Sequence, residues 1–323
     1  MKTSKKVALI VAAVLFGCGV VLAMVGLSLR PLDDKMSTFA PVYLDHTIPV
    51  SEDFLHIAIE RTDCDVSFSQ ATDGACRVVC HAPSGVRHTA KVNEDTLTVR
   101  EEDTRRWFEK FAVWAERSRI EIYLPKESYQ RFFVTTSTGD ITIPEWCTFD
   151  LGNMQSDTGD IVIKGATAQS GLTIITDTGD VSISDTNSLS KLNISSQTGD
   201  ISLTRVRDAK RISIGTDTGD VAFKECSSAW MFALVNTGDA LISDCTADRL
   251  AIRTDTGDVK VRNSDAGELS FTTTTGDVKG TLLSPKVFDI ETSTGDVRVP
   301  PDGTDCGTCK ISTSTGDIDI QIK

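Results

Sequence analysis

Histidine is scarce in this chain of 323 residues, with four copies, and all of them (His46, His56, His81 and His88) precede residue 89. None has metal-ligand spacing to a nearby cysteine pair. Aromatic residues are few, at 6%, and Trp146 and Trp230 are the only tryptophans after residue 133. That argues against the aromatic-lined cleft of a polysaccharide-cleaving enzyme. Gly-x-Ser-x-Gly and phosphate-cradling glycine motifs are absent, which removes the hydrolase and nucleotide chemistries built on them. Positive charge is also short. The net charge is −13, and from Val134 onward 28 Asp and Glu stand against 16 Lys and Arg. Such a field disfavours nucleic acid and bare anionic membranes, and favours cations or basic partners.

What the chain has instead is a repeat. Thr-Gly-Asp occurs ten times, with its glycines at Gly139, Gly159, Gly179, Gly199, Gly219, Gly238, Gly257, Gly276, Gly295 and Gly316. The spacings run from 19 to 21 residues. A fixed period near twenty is the mark of a solenoid, in which each turn of chain stacks on the next. Five residues before the glycine stand Val134, Met154, Ile174, Ile194, Ile214, Ala233, Ile252, Phe271, Ile290 and Ile311, and two after it stand Ile or Val, except Ala240. Apolar residues two apart and rich in β-branched types predict strands. The inward positions read −7, −5, −3, −1, then +2 and +4. The broken alternation makes each Thr-Gly-Asp a corner between two strands, where glycine supplies a positive φ. The expected fold is all-β, a parallel β-solenoid of about ten 19–21-residue coils. At about 4.8 Å per coil it forms a column roughly 43 Å long. The threonines at −1 are expected to line its interior.

Before the repeats the chain divides further. Residues 1–6 are short and basic, and Val7–Leu29 carries no charge over 23 residues. That length spans a bilayer. Lysines before it and mixed charges after it predict a signal anchor, with a cytoplasmic N-terminus at a bacterial plasma membrane and the rest outside. The alternative is a lipoprotein signal ending at Cys18, after Leu15-Phe16-Gly17. Residues 30–50 read as a linker. Residues 51–133 read as a β-rich cap with strands at His56–Glu60, Asp65–Ser69, Cys76–His81, Thr96–Arg100 and Ile120–Leu124. Within it, Trp107, Phe111 and Trp114 share a helical face over Thr104–Ser118. They suit either a lid on the cap or an interfacial helix. Residues 134–323 are the solenoid. Its last segment, Asp317–Lys323, alternates and then stops. It is either covered by the Pro300–Cys309 loop or left as an edge strand for a second copy.

Two side-chain patterns carry candidate chemistry. Each corner ends in Asp, and four corners add a second Asp, giving the pairs Asp157 and Asp160, Asp177 and Asp180, Asp217 and Asp220, and Asp255 and Asp258. Stacked carboxylates could hold Ca2+. Alternatively, each accepts hydrogen bonds from corner amides. The calcium-binding Gly-Gly-x-Gly-x-Asp nonapeptide is missing. Nine cysteines include Cys226 and Cys245 at one slot of consecutive coils, where core filling competes with a disulfide. Cys306-Gly-Thr-Cys309 lacks the helix start that redox motifs use. No cofactor is indicated.

Taken together, the apolar N-terminal run, a strand-rich block ending in Ile122-Tyr123-Leu124-Pro125-Lys126, Tyr129, and Thr136-Ser137-Thr138-Gly139-Asp140-Ile141 resemble a known family. It is the bacterial β-strand-repeat family that goes under the name "putative adhesin". The tryptophan-bearing insertion is similar too, and the resemblance covers most of residues 51–323. It implies a surface-anchored, non-enzymatic β-repeat domain of unknown function, with envelope-stress signalling in some relatives. No functional residue carries over, because the family has no site motif to match. The expected function is a membrane-anchored adhesion or binding scaffold, its partner an envelope protein or cell-wall glycan. The alternatives are an envelope-stress regulator acting through a membrane partner, and a polysaccharide-active β-helix enzyme.

Overall fold

The computed structural model describes residues 42–106, 116–187, 189–304 and 306–323. The expected span at 7–29, and Trp107, Phe111 and Trp114, lie outside them. Among the described residues no helix is long and apolar enough to cross a membrane.

The repeats form a parallel β-solenoid. Each coil has a long strand, such as Ala209–Thr218, a corner at Thr-Gly-Asp, and a short strand, such as Val221–Lys224. Long strands pair with long strands and short with short, in register, so Ile174, Ile194 and Ile214 stack in one row. Leu203, Phe223 and Ile242 stack in another. These rows fill one continuous core. A second corner follows six residues after six of the glycines, from Gly159 to Gly257. There Gly165, Asp185, Arg205, Glu225, Asp244 and Asn263 hold φ between 46 and 64°. The next residue turns inward, so Val206, Cys226 and Cys245 are buried core filler. All eight described cysteines are free thiols.

The interior hydroxyl row sits at −3 rather than at −1. Thr216 is buried and Thr218 is exposed, and the same holds at Thr136 and Thr138. The chain switches parity one step earlier than the alternation suggested. The hydroxyls of Thr254, Thr273 and Thr313 donate to glycine carbonyls one coil away, at 3.1–3.4 Å.

The N-terminal block continues the column beyond the coil of the first Thr-Gly-Asp and covers it. It comprises β1 (Tyr43–Val50), β2 (His56–Thr62), β3 (Asp65–Gln70), β4 (Cys76–Pro83), β5 (Val86–Asn93), β6 (Thr96–Asp103), β7 (Arg119–Leu124), β8 (Ser128–Thr136) and β9 (Ile141–Ile143). β2 and β3 make a parallel coil against β8 and β9, and β6 and β7 make another outside it. β1, β4 and β5 then join antiparallel. β1 lies within the stretch expected to be linker. Its eight residues pair along their whole length with β4, which fixes them in the sheet.

The C-terminal end corrects the edge-strand expectation. Thr308–Thr315 and the start of Ile318–Ile322 are not at the edge. They slot between the coil of Val278–Leu282 and the coil of Val287–Thr294 with Val297–Arg298. Residues 320–322 pair on one side only. The outermost coil is held by Lys286, a buried side chain whose ammonium donates to Ala266 O at 2.8 Å and pairs with Asp265 at 2.5 Å. The free edge is therefore Val287–Thr294 together with residues 320–322, and Val287 and Val297 are exposed.

Candidate functional site

The corner aspartates form one uninterrupted column. The backbone N–H of Asp220 donates to Asp200 Oδ1 at 2.8 Å, and that of Asp239 donates to Asp220 Oδ1 at 2.8 Å. The same bond recurs from Asp140 to Asp277. It then runs through Asp317 to Asp296, in the displaced order of the last coils. Each glycine permits this stacking. At Gly219, φ is +142° and a Cβ would lie 2.1 Å from Gly199 O. A side chain there is excluded by both backbone conformation and contact.

Among the calcium candidates, Asp160, Asp180, Asp220 and Asp258 each give Oδ1 to a neighbouring coil's amide or accept through that same column. Their companions have separate partners. Asp157 pairs with Arg61, Asp177 accepts from Gln197, Asp217 accepts from Asn236, and Asp255 faces Arg253. Among the described residues, no three of these carboxylates converge within 4.8 Å. The structure thus uses them as hydrogen-bond acceptors rather than drawing them into an oxygen cage. Lysines relieve the like-charge column in places. Lys260 holds the Asp239 carboxyl below its usual range, and Lys279 does the same for Asp277.

One corner departs from the rule. Thr62 registers with Thr136, and Val66 with Ile141. Between Thr62 and Asp65 the chain is one residue shorter, so Cys64 stands where later coils have Thr-Gly. The rung survives, because Asp140 N–H donates to Asp65 Oδ1 at 3.0 Å. Cys64 points inside, where it meets His88 of β5 and Glu101 of β6. Its Sγ lies 3.5 Å from His88 Nε2 and 3.4 Å from Glu101 Oε2, and the latter two atoms are 3.4 Å apart. All three side chains are buried. Burial and the Glu101 charge push the Cys64 thiol well above its ordinary value. Burial raises Glu101, but hydrogen bonds from His88, Thr62 and the Asp63 N–H outweigh it and leave its carboxyl low. Sequence reasoning missed this cluster. The readable signal was Thr62-Asp63-Cys64-Asp65-Val66, a shortened copy of Thr136–Ile141.

A second irregularity lies on the outer face of the long strands. Most outward positions there are polar or charged, with apolar exceptions such as Leu151 and Ile175. Trp230, Phe232 and Leu234 interrupt them. The Trp230 and Phe232 rings stack at 6.1 Å, and the Arg211 guanidinium lies 3.5 Å over Trp230. Phe232 registers with Ser213 and Ala251, and Leu234 with Gly215. The Trp230, Phe232 and Leu234 side chains are all half-buried, and a Cβ at Gly215 beside Leu234 would meet nothing within 4 Å.

A profile described as Toastrack DUF4097 matches residues 54–225 and 187–323. The chain belongs to the Toastrack DUF4097 family. The chain is similar to several solved structures at low identity. A "putative adhesin" from Bacteroides fragilis is 17% identical, with 87% of this chain and 97% of that chain covered and a TM-score of 0.41. A "putative lipid binding protein" from Parabacteroides distasonis is 12% identical, with 86% and 96% covered and a TM-score of 0.42. A "putative adhesin" from Parabacteroides merdae is 10% identical, with 86% and 96% covered and a TM-score of 0.37. No curated protein matches the sequence.

Proposed function

We propose that this toastrack chain is a bacterial surface scaffold that binds envelope glycan through the outer face of its long strands. Residues 7–29 anchor it in the plasma membrane, with the N-terminus in the cytoplasm and the solenoid outside. The observation that carries this reading is the Trp230–Phe232–Leu234 pad. A cluster of large, half-exposed apolar side chains on an otherwise polar face is a common mark of a contact surface. Arg211, stacked on the ring, and Arg249, paired with Glu268, flank Trp230 in register on neighbouring coils and rim the pad with groups that can hydrogen-bond sugar hydroxyls. Scaffolding rather than catalysis fits the carboxylates, which recur in every coil and serve the backbone.

The test is a pull-down with tagged full-length chain and its Trp230→Ala variant from solubilised envelope. Wall glycan recovered with the wild type and lost with the variant is the expected result. A single stoichiometric membrane protein, retained equally by both, would replace this reading with that of an envelope-stress regulator.

A further inference from the structure

We propose that Cys64, His88 and Glu101 form a Zn2+ site that clips the β5–β6 hairpin to the first corner of the column. The three ligand atoms make a nearly equilateral triangle with edges of 3.5, 3.4 and 3.4 Å. Zinc bonds of about 2.3 Å to sulfur and about 2.0 Å to nitrogen and oxygen, at tetrahedral angles, give edges of about 3.3–3.6 Å. At 3.4 Å the His88–Glu101 contact is a long hydrogen bond, where charge-assisted ones run to about 2.9 Å. It is the right length for two ligands of one ion.

The chemistry of the set selects the metal. Thiolate, imidazole and carboxylate together suit zinc, whereas calcium and magnesium take oxygen ligands. Charge also balances. One thiolate and one carboxylate neutralise Zn2+, so the loaded site carries no net charge into the core. Binding forms the Zn–S bond and releases the Cys64 thiol proton to solvent. Outer groups are already in place. Thr62 Oγ1 and the Asp63 N–H donate to Glu101 Oε2 and fix its orientation. The fourth position is left for water or another small ligand, as in sites with three protein ligands. The location is also telling. This corner has given up Thr-Gly for one cysteine, and the ligands join three elements that are distant in sequence.

The experiment is a Co2+ titration of chelator-stripped, full-length chain, followed by Zn2+ competition and thermal melting. The expected result is one ion per chain. Co2+ should give tetrahedral ligand-field bands and a thiolate charge-transfer band, and Zn2+ should displace it and raise the melting temperature. Cys64→Ser should abolish the charge-transfer band, while Cys226→Ser keeps it. Glu101→Gln, which keeps size and shape, should weaken affinity at least tenfold, and it serves if Cys64→Ser does not fold. Absence of the band in the wild type, its persistence in Cys64→Ser, or unchanged affinity in Glu101→Gln would overturn the proposal.

Discussion

The corner at Gly219 and the corner at Cys64 share a rung and differ in what they place behind it. At both, a backbone amide of the next coil donates to an aspartate Oδ1. At Gly219, glycine lets two coils close to contact, and behind it lie one threonine hydroxyl and apolar side chains. At Cys64, one residue is lost, and a thiol, an imidazole and a carboxylate converge in the core. The repeated corners therefore build the column. The unrepeated one gathers groups with chemistry, as a functional place in a periodic array should.

The sharpest way to break the regular corner is Gly219→Ala. The Cβ meets Gly199 O at 2.1 Å, and φ is +142°. Strain and overpacking together are expected to cost about 3 kcal/mol or more in chemical denaturation. Next come the shared rungs. Asp200→Ala and Asp65→Ala each remove one acceptor from a backbone amide, and each should cost about 1 kcal/mol. Equal losses would establish that the irregular corner keeps the regular rung. A third substitution probes the interior row. The Thr216 hydroxyl is buried without a partner among the described residues, and Val235 fills the same slot one coil on. Thr216→Val should leave stability unchanged or raise it by up to about 1 kcal/mol.

The smallest effect is electrostatic. Lys260 lies 2.7 Å from Asp239 and 3.3 Å from Asp258. It lowers the Asp239 value, so the linked stability is present above the unfolded carboxyl value of about 3.9. It is lost as pH falls through the lower folded value. Lys260→Ala should cost less than about 1 kcal/mol at neutral pH, since the pair is exposed. The difference from wild type should shrink as an acid titration passes below about pH 4 and vanish below the lowered folded value.

The period and the corners were legible because ten copies sample the same geometry. The parity of the corner was not, because threonine is common at both −3 and −1. Val235 at −3 was the one residue that told them apart. The displaced coils at both ends were hidden because strand order there depends on distant pairings. Lys286 with Asp265 is one such contact, 21 residues apart in the chain. Cys64, His88 and Glu101 escaped for a similar reason. His88 lies 24 residues and Glu101 37 residues from Cys64, and only the fold brings them together. The second corner was missed because its left-handed residues include Arg205 and Glu225, which give no turn signal.

The most direct test of the column as backbone support is the pair Asp220→Asn and Asp220→Ala, melted with Ca2+ and with chelator. Asparagine keeps the oxygen that accepts the Asp239 amide and loses only the charge. The account predicts that Asp220→Asn melts with the wild type, that Asp220→Ala melts lower, and that Ca2+ moves none of them. Equal losses in both variants, together with Ca2+ stabilising only the wild type, would make these aspartates cation ligands and contradict it.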